Sequence, residues 1–293
     1  MSYPVASQLI KVYPPRGPLQ QYRFKEATAF HCFRCGASKK SKLITIYNND
    51  WHKRLCNGCY GKLLSIYNVK AGTGPSNEKA EALAEILLSL LTRDQEREAQ
   101  RLFQTSEKRS IFLSEKTTRF LATADYVARS LSHEASLDWS PAVIGLCKAV
   151  ELELVERLII PLNIMRGDPS LDKDVKDKDI GRIAKFIRDG TGKPPELGTF
   201  AHFLQTLINS KSRRTTSALM QAFLGQLRDW PGANWILDLN GLYESLLLLT
   251  RKFRNRAAHV DDLEQQDFEN CRALVIGDQG LIWRLVQATQ LHR

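Results

Sequence analysis

Two pairs of cysteines constrain this chain more than any other feature. Two residues separate the cysteines within each pair, and twenty residues lie between the pairs. A Cys-x2-Cys turn places two thiolates on one side of a metal ion, so two such turns complete the tetrahedral shell that zinc prefers. The spacing therefore predicts a structural zinc site. Its predicted ligands are Cys32, Cys35, Cys56 and Cys59.

The surroundings of the pairs favour metal over the alternatives, which are free thiols or a redox pair. A redox site needs one such pair between a strand and a helix, whereas this chain has two pairs. His31 and His52 flank the pairs and are candidate ligands, but four cysteines already close the shell, so we expect both histidines at the surface. A segment of about forty residues cannot build a dry core, so the metal would hold its fold together.

The positive charge of the chain is concentrated near these cysteines. Residues 1–75 contain 12 Lys or Arg and 2 Asp or Glu, while the rest of the chain contains 30 of each. A block so basic favours a polyanionic partner such as nucleic acid. The alternatives are that the charges only solubilise the segment, or that the module is a protein-docking surface. The predicted nucleic-acid contacts here are Lys39, Lys40, Lys42, Lys53, Arg54 and Lys62.

The segment Trp51–Leu63, with the sequence WHKRLCNGCYGKL, resembles the second half of a GATA-type, treble-clef zinc finger. In that family a Trp precedes a Leu-Cys-Asn-x-Cys knuckle that opens a helix. The resemblance covers about thirty residues. The interval between the cysteine pairs is longer here than is usual in the family, so its sequence-reading residues are not carried over. The resemblance implies a small zinc finger. Its basic side chains favour a nucleic-acid partner, with RNA first and DNA second.

Changes in composition divide the chain into five segments. Residues 1–30 are rich in Pro, Gln and Tyr and predict an extended basic arm, and residues 31–70 are the zinc finger. Residues 71–77 (AGTGPSN) predict a linker, because they cluster helix-breaking residues before a possible N-cap. Residues 78–107 predict a connecting helix with an apolar stripe, and residues 108–293 predict a helical domain. The predicted fold is mainly α, a helical bundle behind a small N-terminal zinc-binding module.

Within the helical part, apolar spacing predicts further helices, and Asp168–Asp179 predicts a solvated loop or a helix start. The segment LVIGDQGLI at residues 274–282 predicts a small β-hairpin, because turn residues separate two apolar runs. The further helices are predicted near 110–133, 141–160, 197–210, 214–229, 236–259 and 263–274.

The last long helix of this series carries a candidate catalytic set. Asn255 and His259 are four residues apart and share a helix face, and Arg254 lies beside Asn255. RNA is cut without metal when its own 2′-hydroxyl attacks the adjacent phosphorus. Such a reaction needs a proton carrier near neutral pH, for which His is suited, and a cation on the phosphate, for which Arg is suited.

The string Arg254-Asn255-Arg256-Ala257-Ala258-His259 is similar to the Arg-x4-His signature of the HEPN superfamily, including the polar residue after the arginine. The resemblance implies a HEPN-like bundle over residues 108–293. It also implies a metal-independent endoribonuclease of single-stranded RNA, with Arg254, Asn255 and His259 at the seam of a homodimer. HEPN proteins recur in toxin–antitoxin systems, phage defence and RNA processing, so a defence or toxin role is expected.

Three further observations refine that expectation. Asp261 stands where one HEPN subfamily, regulated by a partner nucleotidyltransferase, has Tyr, so we do not expect that kind of antitoxin. The basic residues Arg251 and Arg256 near the motif are predicted to contact nucleic acid. An acidic residue in the preceding Val-Glu-Leu-Glu-Leu-Val-Glu stretch is expected to orient His259 or pair with Arg254, and the sequence leaves three candidates. They are Glu151, Glu153 and Glu156.

Two alternative functions remain. The chain is a non-catalytic zinc-finger nucleic-acid-binding or adaptor protein whose helical domain only dimerises, or the helical half senses a ligand and the finger is the effector. Arg and His are common at helix ends, where His gains from the helix dipole alone. No apolar run approaches the length of a membrane span, and the N-terminus lacks a charged-then-apolar secretion signal, which predicts a soluble cytoplasmic protein with no membrane partner.

Overall fold

A small antiparallel sheet opens the fold. The computed structural model describes residues 8–131, 138–178, 180–190, 193–259 and 262–290. The four strands pair in sequence order, each with the next, and are followed by helices through the rest of the chain. The architecture is therefore mainly α with a small β-sheet. The strands are β1 Leu9–Val12, β2 Leu19–His31, β3 Ser38–Tyr47 and β4 Asp50–Leu55.

The described part of the predicted N-terminal arm is built into this sheet. β2 pairs with β3 from Leu19 opposite Tyr47 to His31 opposite Ser38, and β1 pairs with β2. The Pro-rich composition of residues 1–30 predicted a free arm, but β2 pairs with strands on both sides and buries Leu19, Phe24 and Phe30, which ties the strand down. Residues 1–7 lie outside the described part.

A two-residue turn joins β3 and β4. Asn48 and Asn49 both have positive φ angles, 52° and 57°. Two left-handed residues in succession form the hairpin turn whose twist matches that of the strands, and Asn tolerates this conformation better than most residues. The pair Asn48–Asn49 was thus a hairpin signal in the sequence.

Helices make up the remainder of the chain, and several contain a 3-10 or π-helical turn. The α-helices are α1 Asn57–Ala71, α2 Ser76–Ser89, α3 Arg93–Ser106, α4 Glu115–Leu131, α5 Ser140–Leu154, α6 Asp172–Val175, α7 Gly181–Asp189, α8 Leu197–Asn209, α9 Lys211–Thr216, α10 Ala218–Leu227, α11 Ala233–Leu237, α12 Glu244–Leu248, α13 Asn255–Ala257, α14 Gln265–Ile276 and α15 Leu281–Thr289. The 3-10 helices are Lys108–Phe112, Ile160–Met165 and Pro169–Leu171, and the π-helical turns are Val155–Ile159, Leu239–Tyr243 and Leu249–Arg254.

Two local predictions were wrong. The segment 274–282 is not a hairpin, because the first apolar run completes the buried face of α14 and the second begins α15. Short apolar runs do not distinguish a strand from a buried helix. The connecting helix predicted for residues 78–107 is two helices, α2 and α3. The break occurs where Thr92 and Gln95 cap the start of α3 reciprocally.

One hydrophobic core joins the sheet, α1 and the helical part. Leu19 and Tyr47 from the sheet and Leu63 and Ile66 from α1 belong to the same buried cluster as the apolar residues of α5, the most buried helix. The segment predicted as a linker, 71–77, therefore connects helices that pack on a common core. A second, smaller cluster covers the other face of the sheet. Its buried members are Phe24, Phe30, Ile44 and Ile46.

Among the described residues, no helix is both long and apolar enough to cross a membrane.

Candidate functional site

The structure brings the four paired cysteines together. Their sulfur atoms all lie within 4.8 Å of one another, and the Sγ atoms of Cys35 and Cys56 are 3.9 Å apart. Four thiolates around a tetrahedral zinc ion, with Zn–S bonds of about 2.3 Å, have sulfurs about 3.8 Å apart. The cluster is thus close enough to hold a metal ion. In the described part of the chain this is the one cluster of metal-ligating side chains.

Local backbone structure sets the positions of these sulfurs. The first pair lies in the turn between β2 and β3, where Gly36 has a φ of 67° and donates its N–H to the Cys32 carbonyl at 2.8 Å. A side chain at this left-handed position would be strained. The second pair lies at the start of α1, with Cys56 as its N-cap and Cys59 in its first turn. The second knuckle therefore opens a helix.

Hydrogen bonds within the cluster shift the pKa values of its thiols in opposite directions. A hydrogen bond with the Cys59 thiol lowers the pKa of Cys32 to about 4, and the same contact raises the pKa of Cys59. The backbone N–H of Cys56 also donates to the Cys32 sulfur, at 3.3 Å. Thiolate is the form that binds metal. Arg34 Nη1 lies 3.9 Å from the Cys59 sulfur and adds positive charge.

A cationic groove of about 500 Å³ lies on the sheet beside this cluster. It is formed where the end of β2 meets the beginning of β3 and the middle of β4. No Asp or Glu is among the described residues that line it. Both flanking histidines are exposed and line this groove instead of joining the sulfur cluster. The polar side chains of the groove are Thr28, His31, Ser38, Lys39, His52 and Arg54.

The other predicted nucleic-acid contacts fall in different places. Lys40 and Lys42 are exposed on β3, next to the groove residue Lys39. Lys53 lies over the ring of Phe33, with its Nζ 5.4 Å from the ring centre. Lys62 faces away from the groove, because its Nζ donates to the Leu90 carbonyl at 2.8 Å.

Arg254, the predicted phosphate-binding residue, lies inside the helical part. Its side chain is 3% exposed, and its Nε donates to Glu151 at 3.2 Å. Its Nη1 donates to Asn77 Oδ1 at 2.7 Å, and its Nη2 lies 3.6 Å from a Glu196 oxygen without a hydrogen bond. Glu151 also pairs with Lys148, at 3.1 Å. Of the three acidic candidates, Glu151 is therefore the partner of Arg254.

The other motif residues have different surroundings. Asn255 is half-buried and His259 is exposed, just past the end of α13. Arg256 Nη1 pairs with Asp267 at 2.7 Å, and Arg251 is exposed. Within one chain the structure thus places Arg254 in the interior and His259 at the surface. A phosphate reaches Arg254 only if its pairing with Glu151 opens.

Residue Asp261 lies outside the described residues, so the substitution of Asp for Tyr there has no structural account.

An ionic junction around the buried Lys70, which the sequence did not reveal, links α1 to the segments that precede α5 and α14. Lys70 Nζ lies 2.8 Å from Asp138 and 3.1 Å from Asp262, and its side chain is 3% exposed. Asp138 also accepts hydrogen bonds from Ser140, and Tyr47 donates to Asp262. A lysine near the end of the predicted finger was the only signal, and lysine is usually exposed. The partners are far apart in sequence, so no local pattern predicts them.

Comparison with known proteins found no matching family model, no matching curated protein and no matching solved structure.

Proposed function

We propose that this protein binds nucleic acid through its N-terminal module and that zinc is the metal in the four-cysteine cluster. The observation that carries the proposal is the cationic groove on the sheet. It places Lys39 and Arg54 with two histidines beside the cluster and contains no acidic side chain among its described lining residues.

Zinc follows from the chemistry of the ligands. Four soft sulfur ligands in a tetrahedral arrangement, with no further group in the cluster, are typical of a closed structural zinc site. Such a shell leaves no position for a reacting water, so the metal would have a structural role. It would hold the β2–β3 turn against the start of α1, which is what aligns the strands that line the groove.

The binding mode follows from the kind of side chains in the groove. Lys and Arg neutralise phosphates and release counterions, which gives affinity with little choice of sequence. His31 and His52 add hydrogen-bond donors, and they become cationic when protonated. Lys40 and Lys42 are further exposed cations on β3. We therefore expect RNA to be held mainly through its backbone, with DNA as the second candidate.

Replacement of two cations that line the groove together with Lys40, an exposed cation of β3, tests this proposal. Lys39→Ala, Lys40→Ala and Arg54→Ala together are expected to weaken binding of a single-stranded RNA about tenfold or more, because charged contacts to phosphate are lost. The slope of log affinity against log salt should fall by about one for each lost contact. Fluorescence anisotropy over a range of salt concentrations measures both quantities.

The matched control is Arg97→Ala with Lys108→Ala, which removes two exposed cations from the helical part. It is expected to leave affinity and salt slope near those of the wild type. Equal RNA affinity in the groove variant and the wild type would remove the proposal. So would a control variant that loses as much affinity as the groove variant.

A second function, RNA cleavage, is supported by the charges around Arg254. Lys148, Glu151, Glu196 and Arg254 form an ionic group in which Glu151 and Arg254 are buried and the other two are partly exposed. Arg254 Nη2 has no hydrogen-bond partner among the described residues. Buried charges stabilise a fold poorly and are frequent at functional sites. We propose that pairing of two copies opens the Glu151 contact, so that Arg254 grips the scissile phosphate.

In this second proposal His259 of each copy carries protons, one as base and one as acid, while Asn255 supports the phosphate. The protein would then be a metal-independent endoribonuclease of single-stranded RNA. A defence or toxin role is the biological setting that the HEPN resemblance implies. A non-catalytic adaptor with a dimerising helical part is the alternative that the cleavage test decides.

His259→Ala is the appropriate test of cleavage, because His259 is exposed and its loss should leave the fold intact. Cleavage of a mixed RNA pool is expected to fall at least about a hundredfold, the usual effect of removing a general acid or base. The readout is gel analysis of products and of their end chemistry, with a cyclic phosphate expected. Arg254→Ala is a poor test, since it removes a buried partner of Glu151.

Arg97→Ala, an exposed cation of the helical part that is not among the predicted nucleic-acid contacts, is the control and should retain cleavage. Intact RNA after long incubation with the wild-type protein contradicts the cleavage proposal, and so does undiminished cutting by His259→Ala.

A further inference from the structure

A cavity of about 550 Å³ lies between the cysteine module and the helical part. It shares no lining residue with the groove. Its walls come from the first knuckle, α1, the end of α2, α3 and α4. Two of the four cysteines, Cys35 and Cys59, form part of the wall. We propose that this cavity binds a mononucleotide, and that this site is separate from the nucleic-acid groove.

The charge of the cavity selects an anion. Arg34, Lys62 and Arg129 line it, and no Asp or Glu is among its described lining residues. These three cations come from the knuckle, α1 and α4 respectively. Arg34 also lies near the Cys59 sulfur, so part of its charge balances the metal–thiolate group. Lys62 uses one of its three ammonium hydrogens on the Leu90 carbonyl and keeps two for a ligand.

The other walls suit the base and sugar of a nucleotide. Leu91, Leu102 and Val127 give an apolar surface, and the Tyr126 ring lies among them. Gln95 accepts hydrogen bonds from Thr92 through its amide oxygen, which leaves the amide nitrogen as the end that can donate to a ligand. Small-molecule sites are typically apolar cavities of about 300–1,000 Å³ with a few polar groups, and this cavity matches that description.

The cavity and the groove are distinct sites. The groove is lined by residues of β2, β3 and β4, and none of the residues that line it also lines the cavity. A nucleotide in the cavity would touch both the module and the helices, so its binding would join the two parts of the protein. The inference goes beyond the proposed nucleic-acid binding and stands or falls independently of it.

Isothermal titration of the zinc-loaded full-length protein with ATP and with GTP tests the proposal. We expect one site per chain for at least one of the two nucleotides. Lys62→Ala with Arg129→Ala should weaken that binding about tenfold or more, the usual effect of losing hydrogen bonds to a charged group. The matched control, Lys39→Ala with Arg54→Ala, alters two cations of the groove and should bind the nucleotide as the wild type does.

Adenosine, guanosine and inorganic phosphate are the comparison ligands, and each should bind at least tenfold more weakly than the nucleotide, since each meets only part of the cavity. Thermal melts confirm that the variants are folded. Four results overturn the proposal: no binding of either nucleotide at millimolar concentration, phosphate as strong as the nucleotide, nucleoside as strong as the nucleotide, or loss of binding in the groove variant with retention in the cavity variant.

Discussion

Cys59→Ser is expected to abolish metal binding and to unfold the N-terminal module. Cys59 is buried, lies in the first turn of α1 and contacts the sulfur of Cys32 as well as Arg34. Structural zinc contributes on the order of 10 kcal/mol of apparent binding free energy at neutral pH, and that free energy is folding free energy in a small module. Metal content by mass spectrometry should fall from one zinc per chain to none, and chelation of the wild-type protein should reproduce the loss.

Cys271→Ala is the matched control, because Cys271 is buried in α14 and lies outside the four-cysteine cluster. It should keep one zinc per chain. If wild-type protein purified without zinc melts at the same temperature as the zinc-loaded protein, the metal has no structural role. Unchanged metal content in Cys59→Ser would contradict the ligand assignment.

Loss of zinc is also expected to destabilise the helical part, because that part shares a hydrophobic core with the module. Leu63 and Ile66 of α1 and Tyr47 of the sheet are buried against the helical part. Loss of the module therefore exposes apolar surface of the helices, and the melting temperature of the whole chain should fall. A helical part that melted at an unchanged temperature would show that the two parts fold independently.

Local patterns in the sequence were enough to predict the metal cluster and the predominance of helix. The four ligands depend on two tight turns, and each turn is encoded by residues that are adjacent in the chain. The amphipathic stripes of helices such as α2 and α14 likewise depend on spacings of three and four residues. These features can be predicted without knowing which distant part of the chain packs against them.

Features that depend on distant partners were not predicted. β2 looks like an arm until β3 is placed beside it, since its backbone then pairs with β3 from Leu19 to His31. Arg254 looks available for phosphate until Glu151, 103 residues away, is placed next to it. A motif fixes which residues share a helix face, but the rest of the chain decides whether that face is open or filled.

Lys70→Met is expected to destabilise the fold by about 3–5 kcal/mol, because it leaves Asp138 charged and buried without its cation. Lys70 also bonds Ser140 and Asp262, so three contacts of one ammonium are lost. Urea denaturation at neutral pH measures the change in the free energy of unfolding. The matched control is Lys79→Met, which removes the hydrogen bond from Lys79 Nζ to the Lys70 carbonyl and should cost about 1 kcal/mol.

The pH dependence of the stability of Lys70→Met shows whether lost charge pairing causes its destabilisation. Burial, and then the charge of Asp138, raise the pKa of Asp262 above its ordinary value, and Lys70 opposes that rise. Without Lys70 the pKa of the Asp262 carboxyl in the folded chain should rise further. A carboxyl group with a higher pKa in the folded than in the unfolded chain favours folding as pH falls. The stability gap between Lys70→Met and the wild type should therefore narrow between pH 7 and pH 4, whereas a gap that is constant with pH would mean lost packing alone.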